Sequence, residues 1–219
     1  MVILLTYFNS DRYVFAVEYF DKSDAPFNKP YQDWTGKFWN WWFSVPAEQI
    51  FNTEKFFSTD CLANTEGPVV FLMDPSFASD NIVKNCKISS SQGILFTFLT
   101  SECDTELKGM ENASYTKLAN CAKEDNAASV FEIQGFIDGE KIKDQNIQEV
   151  LSEKFKLNIK ENSIYHPDAI PGIWDAVAHG YYVFVKPLTV GNHTIHFKTF
   201  TSGVPWAFSS DIKYNLLVE

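Results

Sequence analysis

The sequence contains one arginine, Arg12, and its 18 basic residues are outnumbered by 28 acidic ones, for a formal charge of −10. Proteins that hold phosphate backbones use clustered lysine and arginine, with arginine making bidentate contacts. A chain this acidic and this poor in arginine is not expected to bind nucleic acid or an anionic lipid surface. It also lacks any apolar run of about 18 residues, so no transmembrane segment is predicted.

Sequence motifs for common catalytic chemistry are missing as well. We find no Gly-x-Ser-x-Gly elbow, phosphate-binding glycine loop or dinucleotide fingerprint. A zinc site is not predicted, because no Cys-x-x-Cys is present and because His193 and His196, three apart on a strand, point to opposite faces. The acidic loop from Asp74 to Asp80 has no calcium-ligand spacing. We therefore expect no metal and no cofactor, and a non-enzymatic role is favoured over catalysis.

Cysteine content points to an oxidising compartment. Four cysteines allow three pairings, and we favour the local pairs Cys61–Cys86 and Cys103–Cys121, each of which brackets a loop or a helix. Each bridge would stabilise the fold by roughly 3 kcal/mol in the chain-entropy model. Four buried free thiols are the alternative. Paired cysteines predict a secreted, extracellular or cell-surface protein.

The apolar content is high: 45% of the 219 residues are hydrophobic and 16% are aromatic. A single all-β domain spanning residues 1–219 is a reasonable size for such a chain. Two β-rich runs, Tyr181–Lys186 and Thr194–Thr199, flank a short loop with Pro187, and they predict an antiparallel hairpin. A third run, Asp211–Val218, alternates as a half-buried strand does. The expected fold is an antiparallel, jelly-roll-like β-sandwich.

Other segments complete this expected sandwich. Met1–Phe8 has neither a cationic start nor a small-residue cleavage site, so it fails as a complete signal peptide and is predicted to be a first strand. Asp138-Gly139 between β-favouring flanks predicts a hairpin turn. Helical excursions are expected near 33–44 and 105–124, and residues 161–179 are expected to be a long loop.

The most aromatic segment runs from Trp34 to Phe43. Its aromatic residues recur at helical spacing, which predicts a short helix. Such a helix can pack its indoles onto the sheet, or it can present an aromatic platform to a sugar or another flat ligand. The candidate ligand-binding residues are Trp34, Trp39, Trp42 and Trp206.

The loop from 165 to 179 collects two histidines, two aspartates and a tryptophan. Long loops of this kind often carry function. His166 with Asp168 or Asp175 could form a general-base pair, and His179 could be a metal ligand. A surface loop with proline-rich turns explains the same residues without chemistry.

Several blocks of the chain form a recognisable set: Trp34–Trp42 closing at Ser44-Val-Pro46, Asp60-Cys61, Gly67–Leu72, Cys86–Ile88, Gly93–Phe96 running to Glu102-Cys103, Cys121–Asp125 and Gly180–Lys198. Together these blocks resemble a family of uncharacterised secreted proteins found in microbial, notably archaeal, genomes. The resemblance implies export, the two cysteine pairs and a β-sandwich, and it implies no particular activity. The sequence departs from the family pattern after Cys86, where Ser89-Ser-Ser-Gln92 replaces a proline-containing turn.

From these observations we expect a non-enzymatic exported or cell-surface protein with a structural, adhesive or ligand-binding role. Its partners would be further copies of itself, a cell-surface component or a polymer. An N-terminal strand at Val2–Phe8 predicts assembly by strand addition between subunits. The alternative is a secreted hydrolase acting on a carbohydrate or other polymer through the 165–179 loop.

Overall fold

The computed structural model describes residues 16–51, 58–73, 81–127, 130–163, 169–202 and 208–219. None of the helices in these ranges has both the length and the apolar character that crossing a bilayer requires. The helices are α1 (Tyr31–Trp42), α2 (Glu48–Phe51) and α3 (Tyr115–Ala127). The strands are β1 (Ala63–Asn64), β2 (Val69–Leu72), β3 (Ile82–Ile88), β4 (Gly93–Asp104), β5 (Val130–Ile137), β6 (Glu140–Lys141), β7 (Gln148–Leu151), β8 (Phe155–Ile159), β9 (Gly172–Val185), β10 (Gly191–Ser202) and β11 (Phe208–Val218).

These strands form two sheets, as the sandwich prediction requires. Sheet 1 has the order β1-β2-β4-β9-β7, with β8 also paired to β9, and sheet 2 has the order β3-β11-β10-β5-β6. The expectation of antiparallel pairing is wrong for two pairs, because β2–β4 and β3–β11 are parallel. The chain leaves sheet 1 after β2, runs through β3 in sheet 2 and returns to β4, and such a crossover permits parallel neighbours.

Sheet 1 lies between α1 on one face and sheet 2 on the other. In β2, Val69 and Phe71 pack into the cluster that contains α1, whereas Val70 and Leu72 pack against sheet 2. Strand β9 alternates in the same way between the two clusters. A strand that is buried on both faces reads as an unbroken apolar run. This arrangement accounts for the high apolar content of β2, β4 and β9.

The predicted hairpin between Tyr181–Lys186 and Thr194–Thr199 is wrong. Its first run belongs to β9 in sheet 1 and its second to β10 in sheet 2, so the connection around Pro187 passes from one sheet to the other. Stacked sheets are about 10 Å apart, a distance that a short loop spans easily. The pairing of the third run is confirmed, since β10 and β11 are antiparallel from Gly191↔Val218 to Thr201↔Phe208.

Two helices are present near the predicted excursions, with different bounds. Helix α1 begins at Tyr31 after Pro30, two residues before Asp33. Helix α3 begins at Tyr115, so a helix from residue 105 is wrong. The preceding segment turns instead, because Gly109 and Asn112 have φ of 84° and 71°, which a right-handed helix does not allow.

Both predicted disulfides are present, Cys61–Cys86 and Cys103–Cys121. The first fastens the segment before β1 to β3, where Asn85 N–H also donates to Thr59 O at 2.8 Å. The backbone of this segment thereby covers the outer edge of sheet 2, where an exposed strand would otherwise invite pairing with another chain. The predicted N-terminal strand at Val2–Phe8 lies outside the described residues.

Candidate functional site

The predicted aromatic platform is wrong for three of its four residues. Trp34, Trp39 and Trp42 are only 4%, 1% and 0% exposed, and they pack into the core between α1 and sheet 1. The other possibility, that the helix packs its indoles onto the sheet, is confirmed for them. The fourth residue, Trp206, lies outside the described residues. The platform fails because α1 contacts both β8 and β9, which leaves little of its circumference facing solvent.

A groove runs between the outward side of α1 and the turn that joins β1 to β2. Its volume is about 550 Å³. Three aromatic residues lie beside it, and the ring centroids of Trp34 and Trp41 are 6.4 Å and 5.9 Å from that of Phe71. Trp34 and Phe71 are buried and form the base of the groove. Trp41 is half-buried, so its ring is partly open to solvent. A second groove of about 590 Å³ lies over sheet 2 near Asn85 and has no aromatic residue in its lining.

One wall of this aromatic groove, the β1–β2 turn, is held by a buried side chain of the next loop. Gln92 Nε2 donates hydrogen bonds to the carbonyl oxygens of Thr65 and Gly67, both at 2.7 Å. Gly67 has a φ of 77°, which glycine adopts without strain, and Gly93 N–H donates to Pro68 O at 3.0 Å. The turn is therefore fixed before any ligand arrives, which lowers the entropic cost of binding.

The opposite wall, α1, is fixed to sheet 1 through Asn40. Its Nδ2 donates to Lys156 O at 2.9 Å, and its Oδ1 accepts from Asn158 N–H at 2.9 Å. Close packing is possible there because Gly36 has no side chain: a Cβ at this position would lie 2.9 Å from Cγ of Phe155. Both walls of the aromatic groove are therefore preformed.

Charge is distributed unevenly around the aromatic groove. Lys29 and Lys37 line the α1 side, and Glu66 lines the turn. Lys37 Nζ lies 5.8 Å from the centroid of the Trp34 ring, a cation–π distance. Within the described part of the chain, neither lysine forms an ion pair with a carboxylate. Two ammonium groups that form an ion pair with no described carboxylate therefore adjoin the groove.

The candidate hydrolase residues do not form a catalytic site in the described ranges. Strand β9 begins at Gly172, so Asp175 and His179 lie on a strand and not in a long loop. His166 and Asp168 lie outside the described residues. Asp175 forms ion pairs with Lys156 at 2.5 Å and Lys154 at 3.3 Å. These lysines occupy its carboxylate, so the general-base role proposed for Asp175 has no support.

Replacing Asp175 by asparagine is expected to make stability less dependent on pH in acid. Hydrogen bonding and charge from Lys156, and then Lys154, lower the pKa of Asp175 from its ordinary value. The ionised carboxylate thus stabilises the fold above the unfolded pKa of about 3.9, and this contribution is lost as pH falls through the folded pKa. Asp175→Asn should therefore cost up to about 1 kcal/mol at pH 7 and nothing near pH 2. Urea unfolding at both pH values measures this, and an equal cost at both would contradict it.

His179 is a structural residue and not a metal ligand. It is 5% exposed beneath α3. Asn126 Nδ2 donates to its Nδ1 at 3.0 Å, so its Nε2 carries the proton and donates to Glu149 Oε1 at 3.0 Å. Both ring nitrogens are occupied, which leaves no lone pair for a metal. The possibility that His179 binds a metal has no support among the described residues, and the ring instead fastens α3 to sheet 1.

Two further histidines, His193 and His196, and the sulfur atoms of the second disulfide also have structural partners among the described residues. His193 Nδ1 contacts Asp138 Oδ2 at 2.6 Å, and His196 Nε2 contacts Asp211 Oδ1 at 2.6 Å, so the two rings engage different carboxylates. The sulfurs of Cys103 and Cys121 lie near Asp125 but are bonded to each other, so they offer no thiolate to a metal.

Sequence patterns did not identify Glu102 as unusual, although it is only 6% exposed. Its Oε2 has no hydrogen-bond partner among the described residues. Burial first, and then the charges of Asp104 and Asp125, raise the pKa of this carboxyl well above its ordinary value. No local pattern marks it, because its neighbours Ser101 and Asp104 are polar and carboxylates are seldom fully buried.

Glu102→Gln is expected to stabilise the protein at neutral and alkaline pH. Because the folded pKa is raised, folding favours the protonated acid, and stability falls as pH rises from the unfolded pKa of about 4.3 towards the folded one. Glutamine has no charge to bury, so the variant does not lose stability in this way as pH rises. Thermal unfolding of both proteins from pH 4 to pH 9 should show curves that meet in acid and separate as pH rises. A variant that is less stable than the wild type at pH 8 would contradict the expectation.

Comparison with known proteins identifies no family. No family model matches the chain, and no curated protein matches it. Among solved structures, Amebosin is 10% identical over 70% of this chain and 100% of its own, with a TM-score of 0.25. The cysteine protease inhibitor EhICP2 from Entamoeba histolytica is 14% identical over 69% of this chain and 95% of its own, with a TM-score of 0.25. PbICP-C, solved in complex with falcipain-2, is 12% identical over 70% of this chain and 100% of its own, with a TM-score of 0.27. Similarity at this level carries no argument about function.

Proposed function

We propose that this is an exported, non-enzymatic protein that binds a carbohydrate or another ring-shaped ligand in the aromatic groove beside α1. The observation that carries the proposal is the half-buried ring of Trp41, which packs against the buried rings of the core and faces a groove whose walls are both preformed. A volume of about 550 Å³ falls in the range of about 300–1,000 Å³ typical of small-ligand sites.

The chemistry of the groove fits a sugar because a sugar ring has an apolar face of C–H groups and a rim of hydroxyls. The partly open ring of Trp41 offers an apolar surface to that face. Polar groups stand around it, with Lys37, Ser44 and Asn64 among the lining residues. In such a site the apolar lining provides affinity for the ligand, and the few fixed polar groups determine the ligand's orientation.

Export is supported by the two disulfides, since such bonds persist in oxidising compartments. A structural or adhesive role at the cell surface is compatible with binding a surface polymer. Assembly through Val2–Phe8 and a jelly-roll path for the strands both stay predictions. The hydrolase alternative now depends on His166 and Asp168, and no described residue favours it.

Trp41→Ala is expected to weaken polysaccharide binding by about tenfold or more, because it removes the most open ring of the groove. Binding of the purified chain to a panel of insoluble polysaccharides identifies a ligand, and titration calorimetry with its oligosaccharide gives the affinity. Ile173→Ala is the matched control, since Ile173 is exposed and is not among the groove-lining residues. Equal affinities for Trp41→Ala and the wild type, or retention on no polysaccharide, would contradict the proposal.

A further inference from the structure

We infer that the aromatic groove selects acidic sugars, with the anionic group of a uronate or a sulfated sugar held by Lys29 and Lys37. This inference rests on the proposed function, because it concerns the ligand of the same groove. Carboxylate and sulfate share the chemistry that matters here, a compact anion with several acceptor oxygens, and the experiment below distinguishes them.

Lys29 and Lys37 are available to bind an anionic ligand. Elsewhere on the sheets, Lys154 and Lys156 pair with Asp175, and Lys198 pairs with Asp211. Lys29 and Lys37 are exposed and have no carboxylate partner within the described ranges. An anion can therefore contact them without first breaking an ion pair.

The two walls of the aromatic groove, α1 and the β1–β2 turn, differ in charge. The α1 side carries Lys29 and Lys37, whereas Glu66 stands on the turn opposite. An anion is attracted to the first wall and repelled from the second, so a charged sugar has one preferred orientation. Because Lys37 lies one helical turn before Trp41 in α1, its charge adjoins the partly open ring on which a sugar would stack.

Local charge outweighs net charge at this site. The chain carries −10 overall, but screening limits the reach of distant charges to about 8 Å at physiological ionic strength. A ligand in the groove therefore responds mainly to nearby charges. These are the two lysines, Glu66, and the carboxylates of Asp33 and Glu153, which line a neighbouring pocket with Lys37. Because exposed ion pairs are weak, the expected preference for an acidic sugar over its neutral counterpart is about three- to tenfold, and it should fall with salt.

The test compares hexasaccharides of three kinds by titration calorimetry with the full chain: a neutral cello-oligosaccharide, an oligogalacturonate and a sulfated chondroitin oligosaccharide. We expect one or both acidic probes to bind about three- to tenfold more tightly than the neutral one in low salt. The double variant Lys29→Gln/Lys37→Gln should lose this advantage and keep its affinity for the neutral probe. Glu66→Gln should strengthen acidic binding. Lys108→Gln/Lys123→Gln, an equal charge change at two exposed positions that do not line the groove, should change nothing.

The outcomes distinguish failure of the acidic-sugar inference from failure of the proposed carbohydrate-binding function. Tighter binding of only the uronate, or only the sulfated probe, supports the inference and identifies the anion. Tightest binding of the neutral probe, or an unchanged acidic preference in the double lysine variant, overturns the inference. In that case the proposed function still stands if Trp41→Ala removes binding of every probe. If Trp41→Ala binds all probes as the wild type does, the groove itself is not the site.

Discussion

Trp42→Ala is expected to lower the free energy of unfolding by about 3–5 kcal/mol, because it removes a large ring from a core that cannot collapse fully to fill the space. Trp42 is fully buried, and it packs in the cluster that joins α1 to sheet 1. Its ring centroid lies 5.8 Å from that of Trp41. Urea unfolding at pH 7, followed by tryptophan fluorescence and circular dichroism, measures the loss.

Trp42→Phe is the matched control, and it should cost far less. Trp42 Nε1 is buried and has no hydrogen-bond partner among the described residues. Removing this unsatisfied N–H donor removes a desolvation penalty of about 1–3 kcal/mol. That gain offsets much of the packing free energy that is lost when the smaller phenylalanine ring replaces the indole. If phenylalanine costs as much as alanine, the indole N–H contributes a bond that this structure does not contain. A fully stable alanine variant would mean that α1 is not needed to cover sheet 1.

Removing the second disulfide through Cys103→Ser/Cys121→Ser is expected to cost about 2–5 kcal/mol and to loosen α3. Apart from this bond, α3 is fastened to sheet 1 by a small apolar contact of Leu118, Ala119 and Ala122 with Val177. The hydrogen bonds of Asn126 to His179 supplement that contact. Hydrogen exchange of the α3 amides should rise in the double variant, and chemical unfolding gives the total loss.

The other disulfide supplies the control for this prediction. Cys61→Ser/Cys86→Ser should destabilise by a similar amount, because it releases the segment beside β3, which lies in sheet 2. It should leave the exchange of α3 amides close to that of the wild type. Equal loosening of α3 in both double variants would show that the effect is global and not a release of one helix.

Local patterns predicted several elements because local chemistry decides them. Asp138 and Gly139 have φ of 52° and 85°, the positive values that an Asp-Gly hairpin turn requires, and β5 and β6 pair across them. The partner of β9 could not be predicted in this way. A strand with apolar residues on both faces fits a hairpin with β10 as well as the centre of another sheet, and only packing of the whole chain decides between them.

The aromatic cluster shows how a periodicity argument fails in a crowded environment. Helical spacing puts Trp39 and Phe43 on a different side of α1 from Trp34 and Phe38, yet all four are buried. The helix lies against β8 as well as β9, so its buried side is wider than one stripe. Gly36 was the available signal, because a glycine inside a helix costs stability unless something packs closely against it. Here Phe155 occupies that space.

The course of the chain between the two sheets has a consequence for folding. Strands β1, β2, β4, β7, β8 and β9 belong to sheet 1, and the strands between and after them belong to sheet 2. Each layer is thus assembled from distant parts of the polypeptide, and loop-closure entropy must be spent before most of its contacts form. Every continuous fragment that contains a whole layer also contains strands of the other layer. The native contacts of both layers therefore form late, after segments distant in sequence have met.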